Sequence, residues 1–171
     1  MKIVDSFMPE VMVQQLHDLC TSKDFPWYVM SDPTYETEDG VVSFAHLAVW
    51  EGMPVSHISA RLESILRCIA NEAGEEYDSI YRVRFGLYLP VHSEAPVHNK
   101  VHTDLNFPHK VALYYVNASD GPTHLFGNIN TTVEPKMGRL VVFDGSTPHA
   151  SSCPMYHNLR ITLNVNFATK T

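Results

Sequence analysis

After Ser79 this 171-residue chain becomes a succession of short β-branched and aromatic runs, separated by glycine, proline, asparagine and aspartate, with no helical stretch between them. The runs fall at 81–89, 97–104, 110–117, 123–126, 131–134, 140–144 and 160–167. Turn signals at Asp120-Gly121, Lys136-Met137-Gly138 and Asp144-Gly145-Ser146 separate several of them. Parallel strands need long crossovers, usually helices, so a half-chain without them pairs its strands antiparallel, as a sandwich or jelly roll. Runs at 27–30 and 41–49 are expected to add outer strands to the same sheets.

The first half supplies two helices. After Pro9, Met12, Leu16, Leu19 and Cys20 fall near one helical face. A longer apolar stripe, Ile58, Leu62, Ile65, Leu66 and Ile69, predicts a packing helix ending at Gly74, with Arg61, Glu63 and Arg67 on its solvated side. The expected organisation is a single domain over 1–171, with 1–78 as helical and outer-strand support and 79–168 as a mainly β core. A content of 44% hydrophobic and 18% charged residues suits an ordinary packed core. No apolar run is long enough to span a membrane and the N-terminus lacks a secretory pattern, so a cytoplasmic protein is expected. On the same ground the Asn117-Ala118-Ser119 and Asn130-Thr131-Thr132 matches to a glycosylation pattern are read as chance. Cys20, Cys68 and Cys153 have neither the number nor the spacing of a disulfide framework or a cysteine zinc site. The net charge of −7 and the absence of a Lys/Arg cluster disfavour nucleic acid as a partner.

Histidine, the commonest metal ligand, occurs ten times, with many copies between 92 and 157. His102-Thr103-Asp104 puts an imidazole and a carboxylate two residues apart, on one face if the segment is a strand. A second histidine, His149, follows the run Val141-Val142-Phe143-Asp144 and its turn, and Arg160 opens the last strand. HxD alone is a weak signal, but the ordered set is stronger. With Leu113-Tyr114-Tyr115-Val116-Asn117 and Glu134-Pro135-Lys136 between its parts, it resembles the Fe(II)- and 2-oxoglutarate-dependent oxygenases of the prolyl 4-hydroxylase-like branch, over roughly 81–167.

The resemblance implies a double-stranded β-helix, a jelly roll preceded by supporting helices. It implies Fe(II) held by His102, Asp104 and His149, with 2-oxoglutarate and dioxygen as cosubstrates in a hydroxylation that yields succinate and CO2. Two imidazoles and one carboxylate leave three positions of the ion open for that purpose. Arg160 is the expected anchor of the far carboxylate of 2-oxoglutarate, since a planar guanidinium binds a carboxylate through two parallel hydrogen bonds. Thr162, on the same strand face, adds a hydroxyl, and Tyr115 and Tyr88 match tyrosines that bind the cosubstrate. His92, His98, His109, His124 and His157 are expected near turns without a ligand role, and His17, His46 and His57 are assigned none. The prime substrate, a peptide side chain or a small metabolite, is expected to meet loops at 90–100 and 106–109. Nucleic-acid demethylases of the same superfamily carry a second arginine six positions after the first, where this chain has Asn166. A cupin-like hydrolase or non-catalytic binding module is the alternative, but it would more often carry HxH and would have no need of Arg160.

Overall fold

The structure, a computed structural model, describes residues 1–30, 43–74, 80–91 and 98–168. In chain order the elements are β1 (Lys2–Val4), α1 (Glu10–Thr21), β2 (Tyr28–Val29), β3 (Ser43–Trp50), β4 (Met53–Pro54), a 3-10 turn (His57–Arg61), α2 (Glu63–Ala73) and β5 (Ile80–Tyr88). They continue with β6 (His109–Tyr115), β7 (Thr123–Leu125), β8 (Thr131–Val133), β9 (Leu140–Asp144), β10 (His149–Ser151) and β11 (Arg160–Ala168). The major sheet runs β1-β9-β6-β11-β5-β3-β2 with β4 on β3, the minor sheet runs β10-β7-β8, and every pairing is antiparallel.

Alternation along the central strands sorts the two faces of the major sheet. Val83, Phe85 and Leu87 of β5, Ala112 and Tyr114 of β6, and Ile161, Leu163, Val165 and Phe167 of β11 join Leu16, Cys20, Leu62, Leu66 and Ile69 of the helical layer in one core. The opposite face carries Val111, Leu113 and Tyr115 of β6 with Val141 and Phe143 of β9, packed on Leu125 and Val133 of the minor sheet. The polar side chains of β5 and β11 fall on this inner face, so the site lies between the sheets and the helices buttress it from behind. The expected mainly β architecture with N-terminal helices is the observed one.

Two expectations need correction. The stripe from Ile58 to Ile69 is not one helix: Ser56 Oγ accepts from the Ile58 N–H at 3.1 Å and opens a 3-10 turn, and α2 begins only at Glu63. The tighter turn still aims Ile58 and Leu62 into the core, and Arg61, Glu63 and Arg67 are exposed as expected. The segment expected as a strand at 97–104 is not a ladder strand over its described residues, and makes only isolated bridges, His98 to Ser152 and His102 to His149. Local side-chain bonds compete with the ladder there: the His102 ring bonds the Lys100 carbonyl, and Asp104 turns away to β11. The expected strand at 41–49 is described from Ser43, and His92 lies outside the described residues, as does most of the loop expected at 90–100. Among the described residues no helix is long and apolar enough to cross a membrane.

Candidate active site

His102 and His149 exchange both backbone hydrogen bonds at 2.9 Å, which sets their rings 4.7 Å apart between centroids. In each residue Nδ1 lies 3.0 Å from a carbonyl two positions earlier, Lys100 O for His102 and Thr147 O for His149. A carbonyl only accepts, so Nδ1 is the donor in both rings, and the neutral form of each ring then has its lone pair on Nε2. Both Nε2 atoms lie 3.9 Å from Asp104 Oδ1, and one donor atom from each of the three residues falls within 4.8 Å of the others. Among the described residues this is the one such group of His, Cys, Asp or Glu donors.

Burial pushes the Asp104 carboxyl up, but Arg82, His149, Asn166 and Asn164 outweigh it and hold the group well below the usual carboxylate range. Burial lowers His149, with Asp104 pulling against it, so its ring is neutral at neutral pH. An ionised carboxylate beside lone-pair-bearing imidazoles is the donor set for a divalent ion of the iron group.

One pocket is lined by His102 and His149 and also by Tyr88, Thr123, Arg160 and Thr162. Arg160 is 1% exposed, and no carboxylate pairs with it among the described residues. Its Nη2 donates to Thr123 Oγ1 at 2.8 Å, its Nε is buried without a partner, and its guanidinium carbon lies 4.9 Å from the centre of the Tyr88 ring. Gly86 faces Thr162 on the neighbouring strand, and a Cβ there would come within 3.2 Å of Thr162 Oγ1 and the Tyr88 ring. The missing side chain keeps this part of the pocket open.

The sequence-derived set is thus brought together: His102, Asp104 and His149 in one cluster, and Arg160, Thr162 and Tyr88 in the same pocket. Tyr115 is fully buried and does not line the pocket, but its ring centre lies 5.7 Å from the Arg160 guanidinium carbon and its hydroxyl donates to Thr123 Oγ1 at 2.7 Å. Thr123 therefore accepts from both Tyr115 and Arg160, and its own O–H is left to donate. The sequence reading missed Thr123, Arg82, Asn164 and Asn166. The alternation that put 160, 162 and 164 on one face extends to 166, and in β5 to 82, 84, 86 and 88. Four other histidines bond outside the cluster: His46 to Pro26 O and Ser56, His109 to Phe107 O, His124 to Thr132 and Ser152, and His157 to Asp120.

No family model and no curated protein sequence matches the chain. Solved structures do. A Pseudomonas putida prolyl-4-hydroxylase superposes with a TM-score of 0.70 over 99% of this chain and 92% of its own, at 17% identity. A 2OG-Fe(II) oxygenase family oxidoreductase from Burkholderia pseudomallei gives 0.75 over 97% and 84%, at 12% identity. The epimerase SnoN of nogalamycin biosynthesis, in complex with Fe3+, alpha-ketoglutarate and nogalamycin RO, gives 0.64 over 96% and 77%, at 13% identity. With two facing antiparallel sheets, helices behind the larger one and these neighbours, the chain has the double-stranded β-helix fold of the 2-oxoglutarate- and Fe(II)-dependent oxygenases.

Proposed function

We propose that this chain is a non-haem Fe(II) dioxygenase that couples oxidative decarboxylation of 2-oxoglutarate to hydroxylation of a peptide side chain or a small metabolite. The observation that carries the reading is Arg160, a buried guanidinium without an acidic partner among the described residues, facing the pocket that also holds the His/Asp/His cluster. A buried cation is tolerated when an anion neutralises it, and a dicarboxylate reaching from the cluster to Arg160 supplies one.

The residues fit the group. His102, Asp104 and His149 hold the iron, which with 2-oxoglutarate bound supplies the activation of dioxygen. Arg160 binds the far carboxylate through its remaining N–H groups, and the free Thr123 and Thr162 hydroxyls donate to the same oxygens. Tyr88 covers one face of the guanidinium and keeps water from it, while Tyr115 orients Thr123 from behind. The carbonyls of Lys100 and Thr147 hold the imidazole tautomers that leave Nε2 unprotonated. The neighbours support this reading, one being a prolyl-4-hydroxylase and another having been solved with Fe3+ and alpha-ketoglutarate.

The test is succinate release from 2-oxoglutarate with added Fe(II), joined to mass spectrometry of lysate proteins and metabolites for a gain of one oxygen. Wild type forms succinate and His149→Ala does not. A protein that binds metal but neither binds nor consumes 2-oxoglutarate would replace this reading with the cupin-like hydrolase or binding module.

A further inference from the structure

Asp104 is held more elaborately than a metal ligand requires. Its Oδ1 faces both imidazole Nε2 atoms and lies 2.7 Å from Arg82 Nη2, as an ion pair. Its Oδ2 accepts two amide hydrogen bonds, from Asn164 Nδ2 at 2.9 Å and Asn166 Nδ2 at 2.8 Å. Neither amide can be reversed: Asn166 Oδ1 accepts from Arg82 Nε at 2.7 Å, and a carbonyl turned toward the carboxylate would set acceptor against acceptor. Asn166 and Arg82 face each other across β11 and β5, and Asn164 faces Arg84 one rung along, so the backbone register fixes the arrangement. The pairing shifts register just beyond Asn166.

We infer that Asn164 and Asn166, the latter locked by Arg82, are positioning residues that occupy Oδ2 and leave Asp104 a single oxygen to offer a metal. The inference rests on the proposed role of His102, Asp104 and His149 as ligands. Its consequence is a matter of counting. An octahedral ion with two imidazoles and one carboxylate oxygen has three positions left, enough for a two-oxygen chelator and dioxygen. A carboxylate binding through both oxygens removes one of them. Both lone-pair directions of Oδ2 are engaged by the amides, so the second mode would cost two charge-assisted hydrogen bonds in a buried site.

The experiment uses Mn(II)-loaded protein and counts exchangeable waters on the ion from the broadening of its EPR lines in 17O-enriched water, with no 2-oxoglutarate present. Wild type is expected to show about three waters and Asn164→Ala/Asn166→Ala about two, since the freed Oδ2 takes the third position. Adding 2-oxoglutarate is then expected to leave about one water on the wild-type ion and none on that of the double variant, the position lost being the one dioxygen needs. If the double variant does not fold, the single variants carry the test, each freeing one lone-pair direction of Oδ2. A purely structural role would lower the melting temperature and leave the water count unchanged, and an unchanged count overturns the inference. Failure of wild type to bind Mn(II) at all would instead remove the metal assignment, and the purpose of the clamp with it.

Discussion

A guanidinium as deeply buried as Arg160 costs several kcal/mol in desolvation unless an anion answers it, and that makes the residue a sensitive point for mutation. Arg160→Ala is expected to weaken 2-oxoglutarate binding to the Mn(II)-loaded protein by about 2–5 kcal/mol, roughly 30-fold to several thousand-fold, by anaerobic titration. Arg160→Lys recovers part of the loss, because a point charge lacks the bidentate fork. Mn(II) affinity, measured separately, stays near wild type in both, and equal 2-oxoglutarate affinity in all three proteins would reject the anchor role. The clustering of His102, Asp104 and His149 beside a pocket that also holds Arg160 was legible in the sequence, because the order of these residue types along the chain resembles a known signature. Arg82 was not, since its role arises only when β5 and β11 pair in one particular register and bring it to a carboxylate 22 positions away in sequence. Tyr115 was legible as part of the site but not as a support for Thr123, because alternation gives the face of a strand and not the partner of a hydroxyl.

Among elements, the strands with clean alternation were the legible ones. β5, β6, β9 and β11 fall where their periodicity put them, because each has the helical core on one face and the pocket or inter-sheet core on the other. The HxD segment misled because its composition suits a strand while its side chains bond locally and to β11. The end of α2 was legible at Gly74, which takes φ +80° and whose backbone N–H donates to the Ala70 and Asn71 carbonyls of the last turn. A Cβ there meets no atom within 4 Å, so Gly74→Ala tests backbone strain alone and is expected to lower stability by about 1 kcal/mol in urea unfolding. The edge strand β1 is tied down by Asp5, which pairs with Lys136 at 3.0 Å and Arg139 at 2.8 Å. Hydrogen bonds from Arg139 and Lys136 hold the Asp5 carboxyl well below its ordinary value of 3.8. A carboxyl lowered by folding stabilises fully above its unfolded pKa and loses that contribution as pH falls through the folded one. The stability gap between wild type and Asp5→Asn is therefore expected to be level from pH 5 to 8 and to shrink below about pH 4. It stays modest throughout, because the pair is partly exposed. A gap that widened on acidification would reject the assignment.

For the whole molecule, the core on the helical side of the major sheet draws on both halves of the chain. Leu16, Cys20, Ile58, Leu62 and Ile69 pack with Val83, Ala112, Leu163 and Val165, all buried. Neither half buries these side chains without the other, and we propose on this ground that residues 1–78 and 79–168 form one domain that unfolds as one cooperative unit. Leu16 is wholly buried at the centre of α1, and Leu16→Ala is expected to cost about 2–5 kcal/mol, the lost transfer energy plus that of the cavity left behind. Two probes watch the two parts. Trp27 and Trp50 are the only tryptophans and both lie in the first half, while far-UV circular dichroism is dominated by the sheets. In urea the two signals are expected to change together in wild type, and to move together to a lower midpoint in Leu16→Ala. A fluorescence transition that shifted alone, with the sheet signal left in place, would show that the helical layer unfolds separately and would reject the single-domain reading. Coincident shifts would mean that damage behind the sheet reaches the site: the strands carrying Arg82, Arg160 and Asn166 on one face are held by Val83, Ile161 and Val165 on the other.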